Sequence, residues 1–231
     1  MERVAHFVRS ISKPQPRTHV ASSWKKIVWL FAIMSVAGLI GETIQHFVAF
    51  DEWESRPGLI WGPFSPIYGL AAVLLTVALE PLSGKHAWLQ FLVAMLIGGG
   101  LEYIAAWAME TFWGVVAWSY INEPFNIHGR ICLGQTVIWG LLGLLWVRVG
   151  IPLTDKIFNK IDIENRTFHW LTVLLTVYLV LNIITTVIVL IRADERAEGV
   201  PPANAIELIV DQVYPSDQLQ DRFENMGGLG Q

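Results

Sequence analysis

The 231-residue chain has a single cysteine, Cys132, so no intramolecular disulfide can form and thiols say nothing about its compartment. Charge is scarce: 16% of residues are Asp, Glu, Lys or Arg, and the net charge is only -4. That excludes the basic surface of a nucleic-acid binder and the high charge density of an ordinary soluble surface. A G-x-x-x-x-G-K-[ST] phosphate loop is also missing, so the chain has no standard Walker site for ATP. The first 26 residues contain no long apolar run, although a cleavable signal would place one early; Arg3, Arg9, Lys13, Arg17, Lys25 and Lys26 stand there instead. The first apolar segment is therefore expected to be an uncleaved anchor.

In place of charge there are apolar blocks. Hydrophobic residues make up 53% of the chain and the mean hydropathy is +0.46. A helix needs about 20 apolar residues to cross the hydrocarbon layer. Five segments are read as spans: Ile27 to Phe50, Pro66 to Leu79, Trp88 to Glu110, Ile131 to Val149 and Phe168 to Ile191. The expected fold class is an all-α, polytopic membrane bundle of about five transmembrane helices. Its expected divisions are a basic arm (1–26), a four-helix core (27–149), a cytoplasmic loop (150–166), a fifth helix (167–191) and an acidic tail (192–231). The N-terminal basic residues, Lys85, Arg148, Lys156, Lys160 and Arg166 fall on one side of this arrangement, and Arg56 and Arg130 on the other. The positive-inside rule then sets the N-terminus in the cytoplasm and the C-terminus outside.

The second segment is short. Gly62-Pro63-Phe64-Ser65-Pro66 precedes it, with Ser65 suited to the N-cap and Pro66 to the first helical position. Pro66 to Leu79 rises only about 20 Å, so part of 58–65 either enters the membrane non-helically or forms an interfacial loop above locally thin bilayer. In the tail, Ala203 to Tyr214 reads as an amphipathic helix with Ile206, Ile209, Val210 and Val213 inward.

Polar residues inside apolar segments carry the functional expectation. Glu42 and Glu102 lie in the outer halves of the first and third spans, each following a glycine, Gly38 or Gly98, at helical i, i+4 spacing. Buried carboxylates are costly and need partners. Glu110 lies higher on the third span; Arg130 is the expected counter-ion in this layer, Ser65 comes from the same side, and for Glu110, near the interface, a structural pair is the expectation. A polar layer of Glu42, His46, Ser65, Glu102, Asn126 and Arg130 is therefore expected, in which Glu42 and Glu102 hold a cation, a proton or a polar headgroup while Arg130 and the N-terminus of the second helix favour an anionic moiety. The competing reading is an Arg130 ion pair that only holds helices together. His46 could share a proton with Glu42; as metal ligands these two are too few, and no metal or cofactor is expected. Phe112, Trp113, Trp118, Tyr120 and Phe125 suit either a lid or an aromatic belt. Trp139, Gly140, Gly143 and Trp146 read as helix packing, and the fifth span, with Asn182 and threonines, as a supporting helix.

Gly41-Glu42, Gly62-Pro63-Phe64-Ser65-Pro66-Ile67-Tyr68-Gly69, Leu101-Glu102-Tyr103, Asn126, Gly129-Arg130-Ile131-Cys132-Leu133 and Trp139-Gly140 occur in that order. Together they resemble the CmpB-like family of bacterial ABC-transporter permeases, over 27–149. In that family an acidic residue follows the tryptophan of the third loop, whereas here Trp118 precedes Ser119 and Tyr120. The resemblance implies a small multipass transporter or permease component, with a separate ATPase or other membrane subunit and self-association as expected partners besides the bilayer. The alternatives are a lipid-modifying enzyme, with Glu102 or Glu42 as general acid, and a structural subunit. With no nucleophile or metal motif present, the enzymatic reading is the less favoured.

Overall fold

A computed structural model describes residues 20, 23–114, 116 and 118–224. The basic residues Arg3, Arg9, Lys13 and Arg17 and the glycine-rich end of the tail lie outside this set. Among the described residues the regular structure is helical, joined by irregular connections, one of which carries an isolated bridge between Ile127 and Ile131. In order come α1 (Trp24–Phe50), α2 (Pro66–Leu79) prolonged by a 3₁₀ turn (Glu80–Leu82), α3 (Ala87–Trp113), α4 (Leu133–Leu145), a π turn (Trp146–Gly150), α5 (Ile151–Phe158), α6 (Arg166–Ala197), α7 (Ala205–Val213) and α8 (Ser216–Arg222).

Among the described residues four helices are long and apolar enough to cross a membrane: Trp24–Phe50, Ala87–Phe112, Leu133–Phe158 and Arg166–Ala197; Pro66–Leu82 is a shorter apolar helix. Their outward faces display Ile40, Leu96, Leu141, Leu174, Leu181 and Ile184, all exposed. A contiguous apolar surface of that kind is unsuited to water and suits lipid. The molecule is an all-α membrane bundle.

Local chemistry sets the helix ends. Asp51 (φ 57°) and Gly114 (φ 63°) close α1 and α3 in the left-handed conformation, each returning its N–H to a carbonyl of the last turn. Asn165 and Asn204 cap α6 and α7 by accepting from backbone N–H groups. The fourth span does not stop at Val149. Pro152 has no N–H to give, so the ladder widens into the π turn over Trp146–Gly150 and the rod continues to Phe158. Thr154 donates to the Gly150 carbonyl at 2.7 Å.

α2 sits in the middle. Its Ala71, Leu75 and Leu79 pack with Ala94 of α3, Trp139 of α4, Val147 and Ile151. Gly69 lies against Ser35 and Phe31 of α1, and Gly143 against Ala94, so these backbones approach too closely for a side chain. Trp146 donates to Thr76 at 2.8 Å and Trp29 to Thr172 at 3.0 Å, satisfying polar atoms inside the bundle.

The end bearing the 51–65 and 114–132 connections is here the distal end. There the tail folds back: Val210, Leu219 and Phe223 bury against Val189, Leu190 and Ala193 of α6. Asp211 clamps it through Arg192 (2.8 and 2.9 Å) and Arg196 (2.7 Å). The expected inward face of α7 is corrected. Only Val210 is buried, while Ile206, Ile209 and Val213 are exposed, because the short end of α6 covers a single side of so short a helix.

Candidate functional site

Glu102 is the centre of the first cluster. Trp139 of α4 lies directly over Gly98, where any Cβ would collide with its ring. That approach delivers the indole N–H to Glu102 Oε2 at 2.9 Å. Tyr120, from the 114–132 connection, donates its hydroxyl to Oε1 at 2.7 Å. Glu102 is 5% exposed, and among the described residues it makes no ion pair. Both of its carboxylate oxygens are thus met by neutral donors, which leaves a negative charge there without a compensating cation. Burial, then the bond to Glu102, pushes the Tyr120 hydroxyl far above the ordinary tyrosine value, so it remains a proton donor to the acid.

Glu42 occupies the matching place in α1. The Tyr68 ring of α2 lies over Gly38, its hydroxyl turned towards Glu42. Here a cation is present: Arg56 Nη1 donates to Glu42 Oε1 at 2.9 Å. Arg56 also pairs with Glu54, and His46 Nε2 lies 3.3 Å from Glu54. His46 Nδ1 is 3.1 Å from the Glu52 carbonyl. His46 therefore faces the 52–54 backbone and Glu54 and has not become a partner of Glu42. Among the described residues no group of three or more His, Cys, Asp or Glu side chains is placed to hold a metal ion.

Arg130 does not bridge the two intramembrane acids. Its Nε and Nη2 donate to Glu110 Oε2 at 2.8 and 2.6 Å, and its Nη1 to the Tyr103 hydroxyl at 3.2 Å. Arg130 is thus a counter-ion, but of Glu110 rather than of Glu42 or Glu102. Glu110 lies nearer the end of α3, where the arginine at the foot of the connection reaches it first. Asn126 braces that connection, donating to the carbonyls of Ile121 and Glu123 and accepting from Gly129 N–H.

The 58–65 segment is non-helical. Trp61 exchanges two bonds with Asn182, its N–H donating to Oδ1 at 3.1 Å and its carbonyl accepting from Nδ2 at 2.7 Å. Ile60 N–H donates to Thr186 Oγ1 at 3.0 Å. Asn182 lies about 15 Å along α6 from Arg192, well inside the apolar length of that helix. Irregular backbone within such an apolar length survives only where it is buried in protein or lines a watery cavity. α6 therefore does more than support: Asn182, fully buried, holds the loop. Ser65 stands at the N-cap position and Pro66 follows it, but the Ser65 side chain makes no capping bond, and its N–H goes to the Ser35 carbonyl at 3.1 Å.

Five residues that carry this geometry, Arg56, Tyr68, Tyr120, Trp139 and Asn182, were not among the sequence candidates. Tyr68 and Trp139 had a usable signal, since each lies in the first two turns of the helix that follows a Gly-x-x-x-Glu helix. Asn182 had one too, as a lone amide in an otherwise apolar span.

Fold and polar clusters together define a polytopic helical membrane protein with acids inside its spans. The chain belongs to the family described as "Putative ABC-transporter type IV", whose model matches residues 29–187. The match extends beyond 27–149 and takes in most of α6, consistent with the grip of Asn182 on the motif-bearing loop. No curated protein and no solved structure matches the chain.

Proposed function

We propose that this protein is the membrane-embedded, permease-type component of a transport system, with its ligand site in the distal polar layer around Glu102. The reading rests on one observation: a buried intramembrane carboxylate whose partners are all neutral donors. Such a group is expensive without a functional reason, and the cation it lacks is what a ligand or a proton supplies. Glu42 already holds Arg56, so in this reading it shapes the layer and leaves Glu102 to receive the ligand. The positive-inside rule makes the distal end extracytoplasmic, so the ligand enters from outside, past Tyr120. ATP hydrolysis, if coupled, belongs to a separate chain docking at the opposite end.

Native mass spectrometry of the protein gently purified from its host, with Glu102→Gln alongside, tests this. A small molecule or lipid retained by the wild type and lost from the variant is the expected result. Equal retention by both, or nothing bound in either, contradicts it, and a co-purifying ATPase would identify the coupled partner.

A further inference from the structure

Arg222 of α8 reaches into the 58–65 loop and donates to two backbone carbonyls. Its Nε and Nη2 meet the Leu59 oxygen at 3.2 and 2.7 Å, and Nη2 also bonds the Gly62 oxygen. The two carbonyls converge because Gly62 adopts φ +73°, and the Tyr178 hydroxyl adjoins Gly62 on the other side. This arginine is unlike its neighbours. Arg56, Arg130, Arg192 and Arg196 all pair with carboxylates, whereas among the described residues Arg222 makes no ion pair. Burial pulls its pKa below the ordinary arginine value. Two neutral carbonyls do not require a cation; Asn182 satisfies the Trp61 carbonyl with an amide.

We propose that the Leu59 and Gly62 carbonyls form a binding site for a guanidinium or alkylammonium group, and that Arg222 fills it here as an internal ligand. Converging carbonyl dipoles favour a cation with several N–H donors, and Trp61, Gly62 and Pro63 are exposed, leaving the seat a way in. Occupancy connects to the acids through the backbone. Ser55 Oγ donates to the Arg222 carbonyl at 3.2 Å and Ser55 N–H to Glu224 at 2.5 Å. Ser55 stands between Glu54 and Arg56, the residues paired with each other and, respectively, with His46 and Glu42. A cationic ligand that displaces Arg222 therefore loosens the segment carrying Arg56. As a role in transport this rests on the distal entrance proposed above; as a binding site it stands alone.

The test is hydrogen exchange of the full chain in nanodiscs, following Ile60 and Trp61 amides, with methylguanidinium as probe and its neutral isostere methylurea as control. Arg222→Ala should speed exchange of these amides by about tenfold or more. Millimolar methylguanidinium should restore the protection and methylurea should not. In the wild type the same probe should compete, raising exchange across Ser216–Arg222, and this arm decides the matter if Arg222→Ala fails to fold. Equal effects of the two probes, or no effect of methylguanidinium on either protein, overturn the proposal. Rescue by methylguanidinium with a silent Glu102→Gln result in the retention experiment would keep this site and remove the transport reading; the reverse pattern would do the opposite.

Discussion

The α1–α2 and α3–α4 hairpins follow one plan with different electrostatics. In each, a glycine one turn before a glutamate admits an aromatic ring from the next helix, and the ring's polar head is turned to the acid: Tyr68 to Glu42, Trp139 to Glu102. The plan diverges in the connections. In the first hairpin Arg56 returns to Glu42, while in the second Arg130 stops at Glu110 and Tyr120 takes the place beside Glu102. Packing of the same type thus yields one ion-paired carboxylate and one met by neutral donors alone. The lesson is that burial alone does not define such a site; what the connection delivers to the acid does.

The connections also differ in what holds them, and this gives the largest expected effect. The first loop is pinned from another span, so Asn182→Leu leaves the Trp61 N–H without its acceptor and the Trp61 carbonyl with Tyr178 alone, and should cost about 3 kcal/mol in thermal unfolding. The second is braced from within, and Asn126→Ala should cost about 1 kcal/mol. Equal losses would break the contrast.

Next come the aromatic seats, where the hairpins should behave alike. Gly98→Ala and Gly38→Ala drive a Cβ into Trp139 and Tyr68 and should each cost about 2 kcal/mol. Gly41→Ala and Gly100→Ala meet nothing and should stay within about 0.5 kcal/mol of wild type in the same melts.

The smallest effect concerns the tail, which folds over the first loop. The bond to Arg192, then that to Arg196, holds the Asp211 carboxyl below its ordinary value of 3.8. A depressed folded-state pKa contributes stability above the unfolded value and loses it as pH falls through the folded one. Protection of the α7 amides should therefore fall below about pH 3.8, and Asp211→Asn should lower it at neutral pH and flatten this acid dependence.

Much of this was legible beforehand. Apolar block length marked the spans, Pro66 marked the start of α2, and spacing put Glu42 and Glu102 at matching places. The pairings were not legible. Arg56 and Arg130 both stand in distal connections, and spacing along a chain does not say which acid each reaches; that depends on Asp51 and Gly114 turning the chain out of α1 and α3. Asn182 looked incidental because its partner is a backbone, and backbone leaves no trace in composition. The apolar periodicity of α7 was real but did not reveal how little of α6 remained to cover it.

Dicyclohexylcarbodiimide modifies carboxyl groups that sit in apolar surroundings without a cation, and peptide mapping after labelling in native membranes locates the adduct. An adduct at Glu102, with Glu42 protected by Arg56, is the result the difference between the hairpins predicts. Modification of Glu42 with Glu102 untouched would contradict it.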